Sequence, residues 1–149
     1  EPFVGPAGRL LDKAMAEAGI ERTAVYFTNA VKHFKFIERG KRRIHKQPRV
    51  YEIKACQPWL LSEIDLIKPT VVVCLGATAA KSLLKEKASV TKDRGKFVHA
   101  EFAPFVVQTL HPSAILRQPD SRHRHQAYDQ LVFDLKAVAK VVRQNTSHK

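Results

Sequence analysis

The chain has 149 residues, 44% of them hydrophobic, and carries 26 lysines and arginines against 14 acidic residues, a formal charge of +12. That length supports one domain with a buried core and excludes two ordinary ones. No apolar run approaches the roughly 20 residues that span a bilayer, and no signal-peptide pattern is present, so a cytoplasmic protein is expected.

The opening EPFVGPAG has no starting Met and enters a Gly/Pro segment at once, so an N-terminal part is expected to precede it. Ala7 to Ala18 places Leu10, Leu11, Ala14, Met15 and Ala18 on one helical face, with Gly19 as a stop signal. Val25 to Thr28 is expected as a short strand that delivers Asn29, and residues 30–48 as one long loop, a length usually functional or disordered. Val50 to Ile67 is helical in pattern, with Ile53, Trp59, Leu60, Ile64 and Ile67 as core candidates, and Pro58 moves the expected helix start toward itself.

Thr70 to Leu75 is a continuous apolar run rich in β-branched residues, the pattern of a buried parallel strand, and Gly76 turns it into a helix over Ala77 to Leu84. Phe97 to His99 and Phe105 to Leu110 are two further strands, the second delivering His111-Pro112-Ser113. His123 to Val142 is a final amphipathic helix with Leu131, Leu135, Val138 and Val142 facing inward; residues 143–149 form a polar tail expected to fray. The alternation predicts an α/β fold, a three-layer α/β/α sandwich with a mainly parallel central sheet, built as a single domain over 1–142. Ligands bind such sheets at the carboxyl ends of the strands, which here carry Asn29, Gly76 and His111.

The charge is local. Lys32, Lys35, Arg39, Lys41, Arg42, Arg43, Lys46 and Arg49 stand in one segment with a single acid, Glu38, interleaved with Phe34, Phe36, His33 and His45. Such a single-sign patch implies a polyanion, most simply nucleic acid. A histidine among those cations adds something that lysine and arginine lack. Taken alone, His45 could contact a phosphate or act as a nucleophile, and the residues do not choose. Two cysteines make no disulfide framework: Cys74 reads as a buried small hydrophobe, and Cys56 is left unexplained.

Four segments in order, PFVGPAGRLL (Pro2 to Leu11), TNAVKH (Thr28 to His33), KRRIH (Lys41 to His45) and HPSAILR (His111 to Arg117), resemble the uracil-DNA glycosylase superfamily. The likeness is to its family-4-like branch, and within that to the UdgX type, which the basic loop distinguishes. The resemblance implies excision of uracil from DNA. Single-stranded DNA is the expected partner, and a monomer is expected because nothing suggests a large apolar interface. A base must then leave the stack, be held by a π-face and be read on its pairing edge. By this likeness Phe3 stacks on the base, Asn29 pairs with its edge, and His111 donates a hydrogen bond to the leaving uracil. Pro112, Ser113, Arg117, Lys41, Arg42 and Arg43 hold the DNA strand.

His45 is then the nucleophile that attacks C1′, giving a covalent protein–DNA adduct where an ordinary glycosylase uses water. The neighbouring cations favour its neutral, nucleophilic form. The resemblance also implies a 4Fe-4S cluster, with His33 standing where conventional members carry a cysteine and Cys56 matching a later ligand. The family's first polar loop is expected upstream of PFVGP, and Ala114 stands where a second serine is common. Two rivals remain at this point: a water-using uracil glycosylase in which His45 only touches DNA, and a noncatalytic DNA-binding module.

Overall fold

The structure is a computed structural model that describes residues 5–28, 36–39, 42–45 and 50–146; for 36–39, 42–45, 50–58 and 146 it describes the backbone. Helix α1 spans Gly5–Ala18 and buries Leu11, Ala14, Met15 and Ala18, residues three or four apart and so on one face. It ends in a Schellman motif: Gly19 takes φ +82°, its N–H donates to Ala16 O, and Ile20 N–H donates to Met15 O at 2.9 Å. A 3-10 turn over Arg22–Ala24 follows. Val25 to Thr28 then continues outside any strand, which corrects the expected first strand: no ladder partner pairs with it among the described residues.

The expected loop over 30–48 contains an antiparallel ribbon. Strand β1 (Phe36–Arg39) pairs with β2 (Arg42–His45), Phe36 opposite His45 and Arg39 opposite Arg42. Helix α2 then runs over Val50–Ile67, the span its pattern indicates, with Pro58 inside it and not at its start. Leu60 and Ile64 are buried, four residues apart, whereas Trp59 is 70% and Ile67 40% exposed, so these two are not core. The helix closes with Lys68 in the left-handed region (φ 53°), its N–H donating to Ile64 O at 2.8 Å. Glycine meets no Cβ clash there, so Lys68→Gly is expected to raise stability by about 0.5–1 kcal/mol. An upward shift in thermal midpoint would show it; an unchanged or lower midpoint would refute it.

Strands β3 (Val71–Leu75), β4 (Phe97–Ala100) and β5 (Ala103–Thr109) form a sheet in the order β3-β5-β4. β3 and β5 are parallel, Val71 opposite Phe105 and Leu75 opposite Thr109, while β4 and β5 are antiparallel across the two-residue turn Glu101-Phe102. The sheet is therefore mixed, one parallel and one antiparallel pair, where mainly parallel pairing was expected. Helices α3 (Gly76–Leu84) and α4 (Val90–Asp93) lead from β3 to β4, and α5 (Pro112–Leu116) and α6 (Ser121–Thr146) follow β5. α6 carries the chain four residues past Val142 as helix.

Strand alternation sorts the core into two. Val73 and Leu75 pack on the α1–α5–α6 side with Leu11, Met15, Ile115, Leu131 and Leu135. Val72, Cys74 and Val106 pack on the α3 side with Ala80, Leu83 and Leu84. The result is the expected α/β arrangement with helices on both faces of the sheet. Cys74 is 1% exposed, and burial pushes its thiol up to about 12, so it is the inert hydrophobe its apolar setting indicates.

Candidate active site

The parallel β3–β5 pair opens at its carboxyl end. Gly76 leaves β3 there with φ +87°, and His111 leaves β5 beside it, so two of the three expected strand-end residues converge. His111 is the N-cap of α5 (φ −78°, ψ 139°), and Pro112 occupies the first helical turn, where a missing N–H costs nothing. An N-cap side chain that accepts a hydrogen bond satisfies one of the helix's otherwise unpaired first N–H groups. The His111 Nδ1 does so from the Ser113 N–H at 3.0 Å, and Ser113 Oγ stands 2.8 Å from the same nitrogen. Arg117 Nη1 in turn donates to Ser113 Oγ at 3.2 Å.

These contacts set the tautomer. A backbone N–H can only donate, so Nδ1 is the acceptor and the imidazole proton belongs on Nε2. Protonating Nδ1 would set two N–H groups against each other. His111 is half-buried, and its pKa is lowered from the ordinary histidine value, first by burial and then by the Arg117 guanidinium. The arrangement is thus a neutral imidazole held by one nitrogen with an N–H donor on the other.

A buried polar knot anchors the strand behind it. Asp134 of α6, 5% exposed, accepts from Thr109 Oγ1 at 2.5 Å and from Arg94 Nη1 at 2.7 Å, two residues before His111 along β5. Gly95 packs so closely that an added Cβ would lie 2.6 Å from Asp134 Oδ1. Removing the carboxylate leaves the Arg94 guanidinium only the Gln130 carbonyl, an uncharged partner, and leaves Thr109 without this acceptor. Asp134→Ala is expected to cost about 3 kcal/mol, the lower end for a broken buried pair because the Arg94 side chain keeps 28% exposure. A urea midpoint unchanged from the parent would refute that. On α2, Glu63 accepts from Tyr26 OH at 2.8 Å and Thr28 Oγ1 at 3.1 Å, tying the segment that leads to Asn29 onto the helix.

His111, Pro112, Ser113 and Arg117 are therefore brought together as expected. Arg42, Arg43 and His45 lie in β2 and Cys56 in α2, and Phe3, Asn29, His33 and Lys41 lie outside the described residues. Gly76 is expected from the sequence at a strand end, without a tie to His111, whereas Thr109, Asp134 and Glu63 carry no functional signal there. Among the described residues no group of three or more His, Cys, Asp or Glu could hold a metal, and Cys74 is a buried thiol facing apolar neighbours. The described donors do not make a cluster site. A cavity of about 230 Å³ lined by Leu84, Lys87, Asp93, Lys96, Val98 and Gln108 lies on the α3 side and holds none of the candidate residues. No helix among the described residues is long and apolar enough to cross a membrane.

A family model for the uracil DNA glycosylase superfamily matches residues 1–136. The chain is 38% identical over 124 residues to the type-4 uracil-DNA glycosylase of Thermotoga maritima, a match covering 83% of this chain and 61% of that protein. It is 34% identical over 132 residues to the type-4 enzyme of Pyrobaculum aerophilum, covering 84% and 64%. A DNA polymerase of Bacillus phage SP01 is 32% identical over 145 residues, 97% of this chain but 14% of the polymerase. The chain thus spans somewhat less than two thirds of the two glycosylases it matches.

Proposed function

Because the chain belongs to the uracil-DNA glycosylase superfamily, we propose that it excises uracil from DNA and is then captured on the sugar through His45. The observation that carries the excision is His111: a neutral imidazole at the carboxyl ends of the parallel strands, Nδ1 bonded by Ser113 and the proton on Nε2. When the N-glycosidic bond breaks, its electron pair leaves with uracil and C1′ becomes electron-deficient. The Nε2–H donates to the negative charge that develops on the base, a pre-aimed donor worth about 3 kcal/mol in comparable oxyanion sites. Phe3 is assigned to stacking on the extruded uracil and Asn29 to its pairing edge, one amide offering both donor and acceptor. Lys41, Arg42, Arg43, Ser113 and Arg117 are assigned to the phosphates.

The capture step balances simply. An imidazole nitrogen of His45 supplies the electron pair for the new bond to C1′, the imidazole loses its N–H proton to solvent, and the uracil anion takes one up. Support for it comes from the sequence KRRIH, of which Arg42–His45 form β2. The two glycosylases named above are type-4 enzymes, and that similarity favours a second reading in which water attacks C1′ and His45 only contacts DNA. His33 and Cys56 are kept as candidate ligands of a 4Fe-4S cluster.

A denaturing gel with labelled, uracil-containing single-stranded DNA separates these readings. A shifted band that needs uracil and is absent with thymine supports capture. Strand breakage on alkali without the band supports water. Salt-sensitive binding with neither signal leaves a DNA-binding module.

A further inference from the structure

We infer that Gly76 is a positioning residue for His111: only a residue without a Cβ lets the histidine's own Cβ stand this close to the turn out of β3. This rests on the glycosylase reading for its catalytic meaning, though the packing itself does not. A Cβ built on Gly76 would lie 3.0 Å from His111 Cβ, 3.7 Å from Cγ and 3.8 Å from Cδ2. Those three atoms are the edge of the residue that ends at Nε2. The opposite edge, Nδ1, is bonded by Ser113. His111 is therefore set from two directions: Ser113 bonds Nδ1 and orients the ring, and the bare Gly76 backbone lets the histidine's Cβ stand where it does.

The contact cannot be relieved by a rotamer change. The nearest atom is His111 Cβ, which no side-chain rotation moves, so either the end of β5 or the start of α3 must shift. Parallel pairing of β3 with β5 holds both, Leu75 opposite Thr109 just before the two residues meet. Gly76 also differs from Gly5 and Gly19, two other glycines with positive φ. Gly5 (φ +74°) has nothing within 4 Å of an added Cβ, and Gly19 (φ +82°) has only Arg143 Nη1 at 3.9 Å. Those positions need glycine for the backbone alone; Gly76 needs it for the backbone and for the histidine. Gly19→Ala is therefore a matched control, similar in φ but open in space.

The test compares Gly76→Ala and Gly19→Ala in the full-length protein. A one-ångström misplacement of a catalytic group costs about 100-fold, and a Cβ contact at 3.0 Å asks for a shift of a fraction of that. Gly76→Ala is expected to slow uracil excision at saturating DNA by about 3- to 10-fold, with affinity for uracil-free single strands and the excision rate of Gly19→Ala each within about twofold of the parent. The His111 imidazole titration, followed by NMR, should move up toward the ordinary histidine value as the displaced ring loses burial. A purely structural weakening would not move it. An excision loss no larger than that of Gly19→Ala, or a His111 midpoint that stays where it was, overturns the inference.

Should Gly76→Ala fail to fold, Gly76→Ala combined with His111→Gly removes the clashing atoms. The double variant keeps the positive-φ strain that Gly19→Ala also carries, so recovery of the fold supports the contact, and continued unfolding beside a folded Gly19→Ala overturns it. A parent protein that never excises uracil would sink the glycosylase reading by itself, and the titration and the fold recovery would still decide the packing.

Discussion

Replacing His45 with alanine is expected to abolish the denaturant-resistant, uracil-dependent band and leave an alkali-sensitive site in the DNA in its place. The two proposed steps use different residues. In that proposal, breaking the glycosidic bond depends on the donor at His111, which His45→Ala does not touch. What changes is the group that meets C1′ afterwards. With the imidazole gone, water fills the space, and a protein that reacts once becomes one that turns over. The rate of uracil release should stay within about tenfold of the parent, because the nucleophile acts after the barrier set by the leaving group. A band that persists in His45→Ala would place the bond on another residue. Loss of both band and release would make His45 a binding residue.

Replacing His111 with alanine is expected to do the opposite, lowering uracil release by about 100- to 1,000-fold while single-strand binding changes little. Alanine removes the Nε2–H and also the Nδ1 acceptor of the Ser113 N–H, so part of the loss is positional. The pH dependence follows from the shift. Burial, with Arg117 second, lowers the folded-state pKa of His111 below the ordinary 6.5. The neutral form is thus favoured by folding, a stabilisation complete above 6.5 and lost as pH falls through the lower, folded value. The active form is the same neutral one. Release should hold constant through the ordinary histidine range and fall only on the acid side of it, where protonation of Nδ1 drives the ring off Ser113. An acid limb centred at or above the ordinary value would contradict the arrangement.

Much of this geometry was legible because it lies in continuous patterns. The span of α2, the apolar run of β3 and the motif His111-Pro112-Ser113 with Arg117 are all local, and each appears where its residues indicate. The antiparallel course of β4 was also readable, though it was missed. Only a short turn separates the Phe97–His99 and Phe105–Leu110 segments, and a parallel connection needs a crossover of a dozen residues. In 30–48 the charge hid two short runs containing Ile37 and Ile44, which pair in the ribbon. Trp59 and Ile67 were placed inside for their type, but the helix turns Leu60 and Ile64 inward and those two out. The Gly76–His111 and Thr109–Asp134 contacts left no local trace. Residues far apart in sequence meet there only through the β3–β5 register and the return of α6.

The two strand pairings also differ in how soon they can form. β4 and β5 are joined by two residues and can zip as a hairpin within microseconds. β3 meets β5 only after the chain closes a loop from Val71 to Phe105, 105 − 71 = 34 positions, so this pairing carries the larger entropy of closure. Gly76 and His111 come together only across that late ladder. The corner that would meet the uracil is therefore among the last parts of the sheet to assemble, and among the first to come apart under stress. Amide exchange along Val71–Leu75 should track the integrity of that corner more closely than exchange in the β4–β5 hairpin.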